Sequence, residues 1–365
     1  QPNSEWWPED VGELREALRD LDVPRVLVGD GQHLRTPTIS ARRFDVIRTE
    51  KCRRVISVDR ESKLVRVEAG IRWADLQAEL AERGLSMERY RLYPATATLG
   101  GILGRFSSLH RELWDGDVRT GCVALSAATA ESDYRYLAAP RRAAGPDLRW
   151  LFMGGEGAYG AILDATLVAW ASAPARLLTW HTERFGQASA IVRDAWDLGL
   201  RPSWTTWTSR KTGDELLMAF HGPERLMDVG INALRERHDV PCEIEADEAV
   251  SLKRTELETS HPDRRSLASS IRTVHAVFST RDLETAIDTL PPSVESVSIW
   301  NWTRHHAHAY VRYAKGKTLS ELPAKLATRA IDVRPIVDDE AVHWPHSAQN
   351  LKQLLDPKQA LAIGP

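Results

Sequence analysis

Cysteine is scarce in this chain, long apolar runs are missing and neither sign of charge dominates; each shortage removes a class of function. Only Cys52, Cys122 and Cys242 occur, far apart in 365 residues. Such spacing builds no disulfide framework and lacks the clustered pairs of zinc or iron–sulfur sites, so any iron–sulfur relay belongs on another chain and no metal ligand set is expected. No apolar stretch nears the roughly 20 residues needed to cross a bilayer, and the first residues, Gln1 to Trp7, lack a basic-then-apolar signal pattern. A chain with no transmembrane segment is therefore expected, cytoplasmic or peripheral to a membrane through a partner; its start at Gln1 rather than Met leaves room for a removed leader. With 48 basic and 51 acidic residues the net charge is -3, which gives no general attraction to nucleic acid. Short basic pairs such as Arg141-Arg142 and Arg264-Arg265 read as solvated surface.

What is present describes an ordinary globular protein, 42% hydrophobic and 27% charged, and long enough for two domains. Residues 8–19 read as a helix with an apolar stripe at Val11, Leu14, Ala17 and Leu18, and Arg25–Val28 reads as a short buried strand. Residues 55–59 and 64–68 flank a polar turn as a hairpin would, and an amphipathic helix over 71–83 closes at Gly84. Residues 93–121 carry glycines without periodicity, the habit of a long binding loop. Strands at 123–127 and 162–170 complete a first domain ending near Ala171-Ser-Ala-Pro174. Beyond it, two rounds of strands and helices follow: 176–182, 186–198, 203–208, 215–220 and 223–235, then 274–278, 282–289, 294–300 and 308–313. They predict one continuous sheet with helices on a single face, a ferredoxin-like α+β layer. Between the rounds, the charged stretch 239–270 reads as a cap or loop. The 13 tryptophans are scattered and read as core or interface anchors.

The densest glycine punctuation lies in Gly154-Gly-Glu-Gly-Ala-Tyr-Gly160, which runs into a strand-like apolar segment. Glycine has no Cβ and tolerates positive φ, so such a turn presents unobstructed amides to a large anionic group. Two more glycine-bearing segments precede it, Val26-Leu-Val-Gly-Asp-Gly-Gln-His-Leu34 and Tyr93-Pro-Ala-Thr-Ala-Thr-Leu-Gly-Gly-Ile-Leu-Gly104. Together with Val67–Leu76 and the ending Leu355-Asp-Pro357 with Ile363-Gly364, they resemble in order and spacing the FAD-linked oxidases of the vanillyl-alcohol oxidase and p-cresol methylhydroxylase superfamily. Within it, the likeness is strongest to the glycolate oxidase FAD-binding subunit. The resemblance implies a PCMH-type FAD-binding domain of two subdomains over residues 1–172, a substrate or cap α+β domain over 173–350, and a tail, 351–365, that returns to the first domain.

Carried over residue by residue, the resemblance places Gly29, Asp30, Gly31, Gln32 and His33 along one side of the FAD pyrophosphate. Thr98, Leu99, Gly100 and Gly101 take the other side, with Pro94 and Ala95 fixing the loop and Gly104 ending it. Gly160, Ala161 and Ile162 offer backbone groups to the adenine or ribose, and Asp117 and Gly121 match an aspartate and glycine that follow the second loop. Departures are also visible. Asp30 stands where the family has a small residue, and a carboxylate beside phosphates is repulsive unless it turns outward or pairs with His33 or an arginine. Glu112-Leu-Trp-Asp-Gly116, Ala128-Thr129, Glu156 and Ala158-Tyr159 replace commoner family residues. His33 falls one position after the family's flavin-attaching histidine, where this chain has Gln32, and reads as a polar loop residue.

One other run stands out, Trp300-Asn-Trp-Thr-Arg-His-His-Ala-His-Ala-Tyr310. Strand alternation would put His306, His308 and Tyr310 on one face with Arg304 near its start. In the family this sheet covers the reactive face of the flavin. The resemblance then implies Arg304 as anchor for a hydroxy-acid carboxylate and His306 or His308 as general base. The implied activity is oxidation of a small 2-hydroxy acid or alcohol, with electrons leaving to a protein acceptor or sister subunit. The departures at the loops also fit a flavin-poor scaffold subunit, and a stand-alone sugar or polyol oxidase is a third reading.

Overall fold

The structure is a computed structural model that describes residues 4–19, 23–31, 43–87, 89–90, 92–105, 118–138, 147–209, 213–260, 271–290, 294–314 and 332–335. Its fold is α+β, and two compact units divide the chain: one contains Gln1–Met87 and Tyr93–Ser172, the other Glu88–Leu92 and Ala173–Val337. The chain thus passes from the first to the second between Ser172 and Ala173 and also lends the second a short piece near residue 90. The expected tail, 351–365, lies outside the described residues.

The first unit runs β1 (Glu5–Trp6), α1 (Val11–Arg19), β2 (Arg25–Val28), β3 (Asp45–Arg48), β4 (Val55–Asp59), β5 (Leu64–Glu68), α2 (Trp73–Ala81), β6 (Leu85–Ser86), α3 (Leu99–Gly104), β7 (Cys122–Ala128), β8 (Asp133–Tyr136), α4 (Arg149–Phe152), β9 (Ala161–Val168) and β10 (Trp170–Ala171). A small parallel sheet has the order β1-β3-β2, an antiparallel one the order β4-β5-β9-β7-β8, and β10 pairs with β6. Asp10 starts α1, because its Oδ1 accepts from the amides of Gly12 and Glu13 at 2.7 and 3.0 Å. Those two bonds hold its carboxyl below the usual carboxylate range. The apolar stripe of α1 is buried on Ile47, Ala128, Ala161 and Leu163, which joins the parallel sheet to the larger one.

Central strand β9 is apolar apart from Thr166 and Asp164, and Asp164 stands opposite Glu68 of β5. Two neighbouring buried carboxylates repel, and each is met by its own arginine. Arg66 Nε and Nη2 grip Asp164 at 2.7 and 3.0 Å, while the Arg54 amide and Nε both donate to Glu68 at 2.8 Å. The bidentate contact to Asp164 is also why the Arg66 guanidinium is held above its ordinary range.

The second unit holds β11 (Ala175–Thr182), α5 (Phe185–Asp197), β12 (Trp204–Thr208), β13 (Asp214–His221), α6 (Glu224–Glu236), β14 (Cys242–Ala246), α7 (Glu248–Thr259), β15 (Ile271–Ser279), α8 (Thr280–Asp288), β16 (Val294–Trp300), β17 (His306–Ala314) and β18 (Asp332–Pro335). These strands form one antiparallel sheet of order β14-β11-β13-β12-β16-β17-β15-β18. Leu178, Trp180, Leu216, Met218 and Ile299 pack on one face under α5, α6 and α8. Alternation sends Leu177, Trp204, Leu217, Trp300 and Tyr310 to the other face, where they meet Val250 and Leu257 of α7.

Helices therefore cover both faces, and residues 239–270, expected as a cap or loop, contain β14 and α7. The reason is chemical: the buried stripe of α7 is Val250, Arg254, Leu257 and Glu258, so half of its inward positions are charged. Arg254 and Glu258 neutralise each other, with Nη2 to Oε1 at 2.9 Å, and Arg254 Nη2 also donates to the Tyr90 carbonyl at 3.2 Å.

Backbone closeness at Gly70 sets the packing between β5 and the segment after β3. Its amide donates to the Cys52 carbonyl at 2.8 Å, and a Cβ there would lie 1.8 Å from the Thr49 carbonyl oxygen. Gly70→Ala is expected to destabilise the protein by about 1–3 kcal/mol, since backbone must move to admit the methyl group. Gly222→Ala, where a Cβ meets nothing within 4 Å, serves as the control. Thermal unfolding of the two variants checks this, and equal midpoints would contradict it.

Candidate functional site

The three glycine-bearing segments meet within the first unit. Gly29, directly after β2, lies against Thr98, where a Cβ would come to 2.0 Å from Thr98 Oγ1. Gly31 is left-handed with φ +77°. Asp30, the residue expected to oppose a phosphate, is held by the chain, because Thr96 Oγ1 donates to its Oδ2 at 2.8 Å. At the far end of the second segment the amides of Gly154 and Glu156 donate to the carbonyls of Leu103 and Gly104, at 2.9 and 2.7 Å. Gly157, also left-handed with φ +81°, closes the circuit beside Leu27 of β2. Gly160, with φ +155°, lets the start of β9 approach β7, as a Cβ there would lie 2.5 Å from the Ala128 carbonyl oxygen.

Placement of the expected residues is mixed. The turn around Pro94 and Ala95 is fixed by the Ala97 amide on the Pro94 carbonyl and by the Ala74 amide on the Ala95 carbonyl. Thr98 caps α3 by accepting from the Gly101 amide at 3.2 Å. The amides of Leu99 and Gly100 donate to Ile71 and Ala69 carbonyls at 2.8 and 2.6 Å, so they hold the loop to its neighbour rather than face outward. Ala161 and Ile162 are buried in β9 opposite Ala128 and Ala127, and the Gly121 carbonyl accepts from the Val168 amide. Gln32, His33 and Asp117 lie outside the described residues.

By contrast, the amides of Gly29 and Gly31 donate to no other described residue. Arg48 of β3, missed in the sequence because it ends an apolar strand, lies beside this turn. Its Nη1 reaches the Gly29 carbonyl at 3.5 Å, and a Cβ on Gly31 would be 3.4 Å from the same nitrogen. Unengaged amides on a left-handed glycine turn next to a guanidinium are what a phosphate anion requires.

The second unit groups a different chemistry. His306, His308 and Tyr310 of β17 are buried, and their alternation places them on the face covered by α7. His275 of β15, also missed, joins them: its Nε2 lies 3.0 Å from His308 Nδ1, and its ring stacks on Tyr310 with centroids 4.6 Å apart. The sequence signal was a polar residue within the apolar run Val274–Phe278 of that strand. Arg304 is not with them. It sits on the turn between β16 and β17, exposed, with Nη2 3.8 Å from Asp197 of α5 on the opposite side of the sheet. The turn, with Asn301 at φ +49°, breaks the alternation that predicted otherwise.

Comparison with known proteins agrees with the first unit's geometry. Residues 3–135 match the FAD binding domain family. The chain is 34% identical over 133 residues to L-gulonolactone oxidase of Mus musculus, covering 36% of this chain and 29% of that protein. It is 30% identical over 169 residues to the mitochondrial cytochrome D-lactate dehydrogenase of Arabidopsis thaliana, covering 46% of this chain and 29% of that one. Alkyldihydroxyacetonephosphate synthase of Dictyostelium discoideum is 26% identical over 162 residues, 44% of this chain and 26% of its own. The matches thus span less than a third of each relative. A solved alkyldihydroxyacetonephosphate synthase superposes with a TM-score of 0.77 over 98% of this chain and 76% of that one, at 16% identity, a likeness of fold. The fold is that of the solved alkyldihydroxyacetonephosphate synthase, and with the FAD binding domain match over residues 3–135 FAD is the cofactor of the first unit.

All three thiols are held above the ordinary thiol range. Burial pushes Cys52 and Cys122 up to about 12 and Cys242 up to about 11. At about pH 8 far fewer than one molecule in a hundred carries a thiolate at any of these positions. A chromogenic disulfide reagent should therefore label the native protein slowly and all three cysteines at once on unfolding. Rapid labelling of the folded chain would contradict the burial.

Proposed function

We propose that this chain is a glycolate-oxidase-like FAD-dependent oxidoreductase that oxidises a small 2-hydroxy acid or alcohol at a CH–OH group and passes electrons to a partner protein. The observation that carries this reading is the convergence of the three glycine segments around the Gly29–Gly31 turn. When bound, FAD supplies the acceptor for a hydride and its electron pair. The amides of Gly29 and Gly31, with Arg48, would hold its phosphates, and Thr96 keeps the Asp30 carboxylate engaged so that its charge is directed at a hydroxyl.

In this reading the second unit is the substrate domain, and His308, with His306 edge-on to it at 6.0 Å between centroids, takes the hydroxyl proton. Arg304 is left out of the proposal because its guanidinium pairs with Asp197 on the other side of the sheet. A protein acceptor is inferred because three dispersed cysteines cannot hold a cluster that would carry electrons onward. No helix among the described residues is long and apolar enough to cross a membrane. The likeness to L-gulonolactone oxidase supports a second reading, a sugar or polyol oxidase that returns electrons to oxygen, which rapid reoxidation by air without an added acceptor would favour.

Mixing the FAD-loaded chain anaerobically with glycolate, D-lactate and a panel of small alcohols tests the proposal. Bleaching of the flavin bands by at least one of them is expected, slowed roughly a hundredfold or more in His308→Asn. Flavin that stays oxidised with every compound would overturn it.

A further inference from the structure

We infer that Trp7 is a positioning residue for the flavin phosphates, acting through Arg48, an assignment that rests on the reading of the Gly29–Gly31 turn as their seat. Arg48 ends β3, the middle strand of the small parallel sheet, and stands opposite Val28, the residue before Gly29. On the other side of β3, β1 pairs up to Trp6 opposite Ile47, which brings Trp7, the next residue, alongside Arg48. The guanidinium carbon of Arg48 lies over the Trp7 ring, 5.5 Å from its centroid. The Thr49 amide donates to the Val28 carbonyl at 3.0 Å, so the strand end that carries Arg48 is tied to the turn it serves.

The contacts of Arg48 differ in what they can do. Nη1 reaches the Gly29 carbonyl at 3.5 Å, and Nε lies 3.5 Å from Glu5 Oε2. Both distances are long for a hydrogen bond, so neither contact alone fixes the guanidinium. The indole does more, because a cation within about 6 Å of a tryptophan centroid is drawn to the ring face, and a planar guanidinium suits that face better than an ammonium. Held over Trp7, Arg48 keeps Nη1 at the turn, where a Cβ on Gly31 would approach it to 3.4 Å. Nη2 donates to no other described residue, which leaves N–H groups of a planar fork for a phosphate.

Order in that side chain strengthens binding. A mobile arginine loses rotamer freedom when it grips an anion, whereas one already confined by the folded protein loses little more. Trp7 therefore raises affinity for the diphosphate without touching it.

The test is equilibrium binding of FAD to the full chain, read by quenching of flavin fluorescence, in a double-mutant cycle. Trp7→Leu should weaken binding roughly threefold to tenfold and Arg48→Met tenfold or more, while the double variant stays within about twofold of Arg48→Met alone. Trp7→Phe, which keeps a ring face, should recover most of the loss. A residue that merely held the first unit together would weaken binding in the Arg48→Met background as well, so additive losses would overturn the assignment. So would a Trp7→Leu chain that binds FAD like the wild type. Trp7 is 44% exposed, and the leucine variant is expected to fold. If it does not, the Arg48 Nε–H signal of the 15N-labelled wild-type chain decides: it should lie upfield of the ordinary arginine range, shielded by the indole, and move when FAD is added. A signal at the ordinary position that FAD leaves unmoved would contradict the assignment. FAD binding that Arg48→Met leaves unchanged would defeat the assignment and leave the FAD reading standing, whereas a wild-type chain that binds no FAD would defeat both.

Discussion

Backbone-to-backbone closeness at a few glycines is the constraint on which the first unit depends. Gly70 against Thr49, Gly29 against Thr98 and Gly160 against Ala128 are places where even a methyl group would overlap its neighbour. Because these contacts bring β2, the loop before α3 and the turn before β9 together, one region gains both a rigid frame and a left-handed turn with unengaged amides. Most loop amides in that frame are spent on holding it. The amides of Gly29 and Gly31, next to Arg48, donate to no other described residue.

The second unit solves a different problem, that of placing charge and polarity inside a two-sided core. Trp180 and Trp207 fill the face beneath α5, α6 and α8 with apolar surface, and Phe185 of α5 packs into the same cluster. The opposite face carries the buried Arg254–Glu258 pair and the His275, His308 and Tyr310 group. Isolated, any of these would cost several kcal/mol to bury; each is instead matched to a partner at hydrogen-bonding or stacking distance.

Much of this was legible in the sequence, and the failures have physical causes. Strands β2, β4, β5 and β16 were bounded correctly because they are short, apolar and punctuated by turns. Helix α7 was hidden because two of its four inward residues are charged, so no apolar period marks it. Strand β3 was missed because only Val46 and Ile47 are apolar between its charged ends Asp45 and Arg48, and α3 because its glycines disguise a short capped helix. The convergence of the glycine segments followed from their order, whereas the partners of individual groups did not. Asp30 with Thr96, His308 with His275 and Arg304 with Asp197 all pair across long stretches of chain, where local pattern carries no information.

The visible absorbance of the purified chain, before and after incubation with FAD and removal of the excess, tests the central claim most directly. A cofactor held by the Gly29–Gly31 turn should leave retained flavin bands and quenched flavin fluorescence. A chain that folds, stays colourless and leaves the fluorescence of added FAD unchanged would contradict the account.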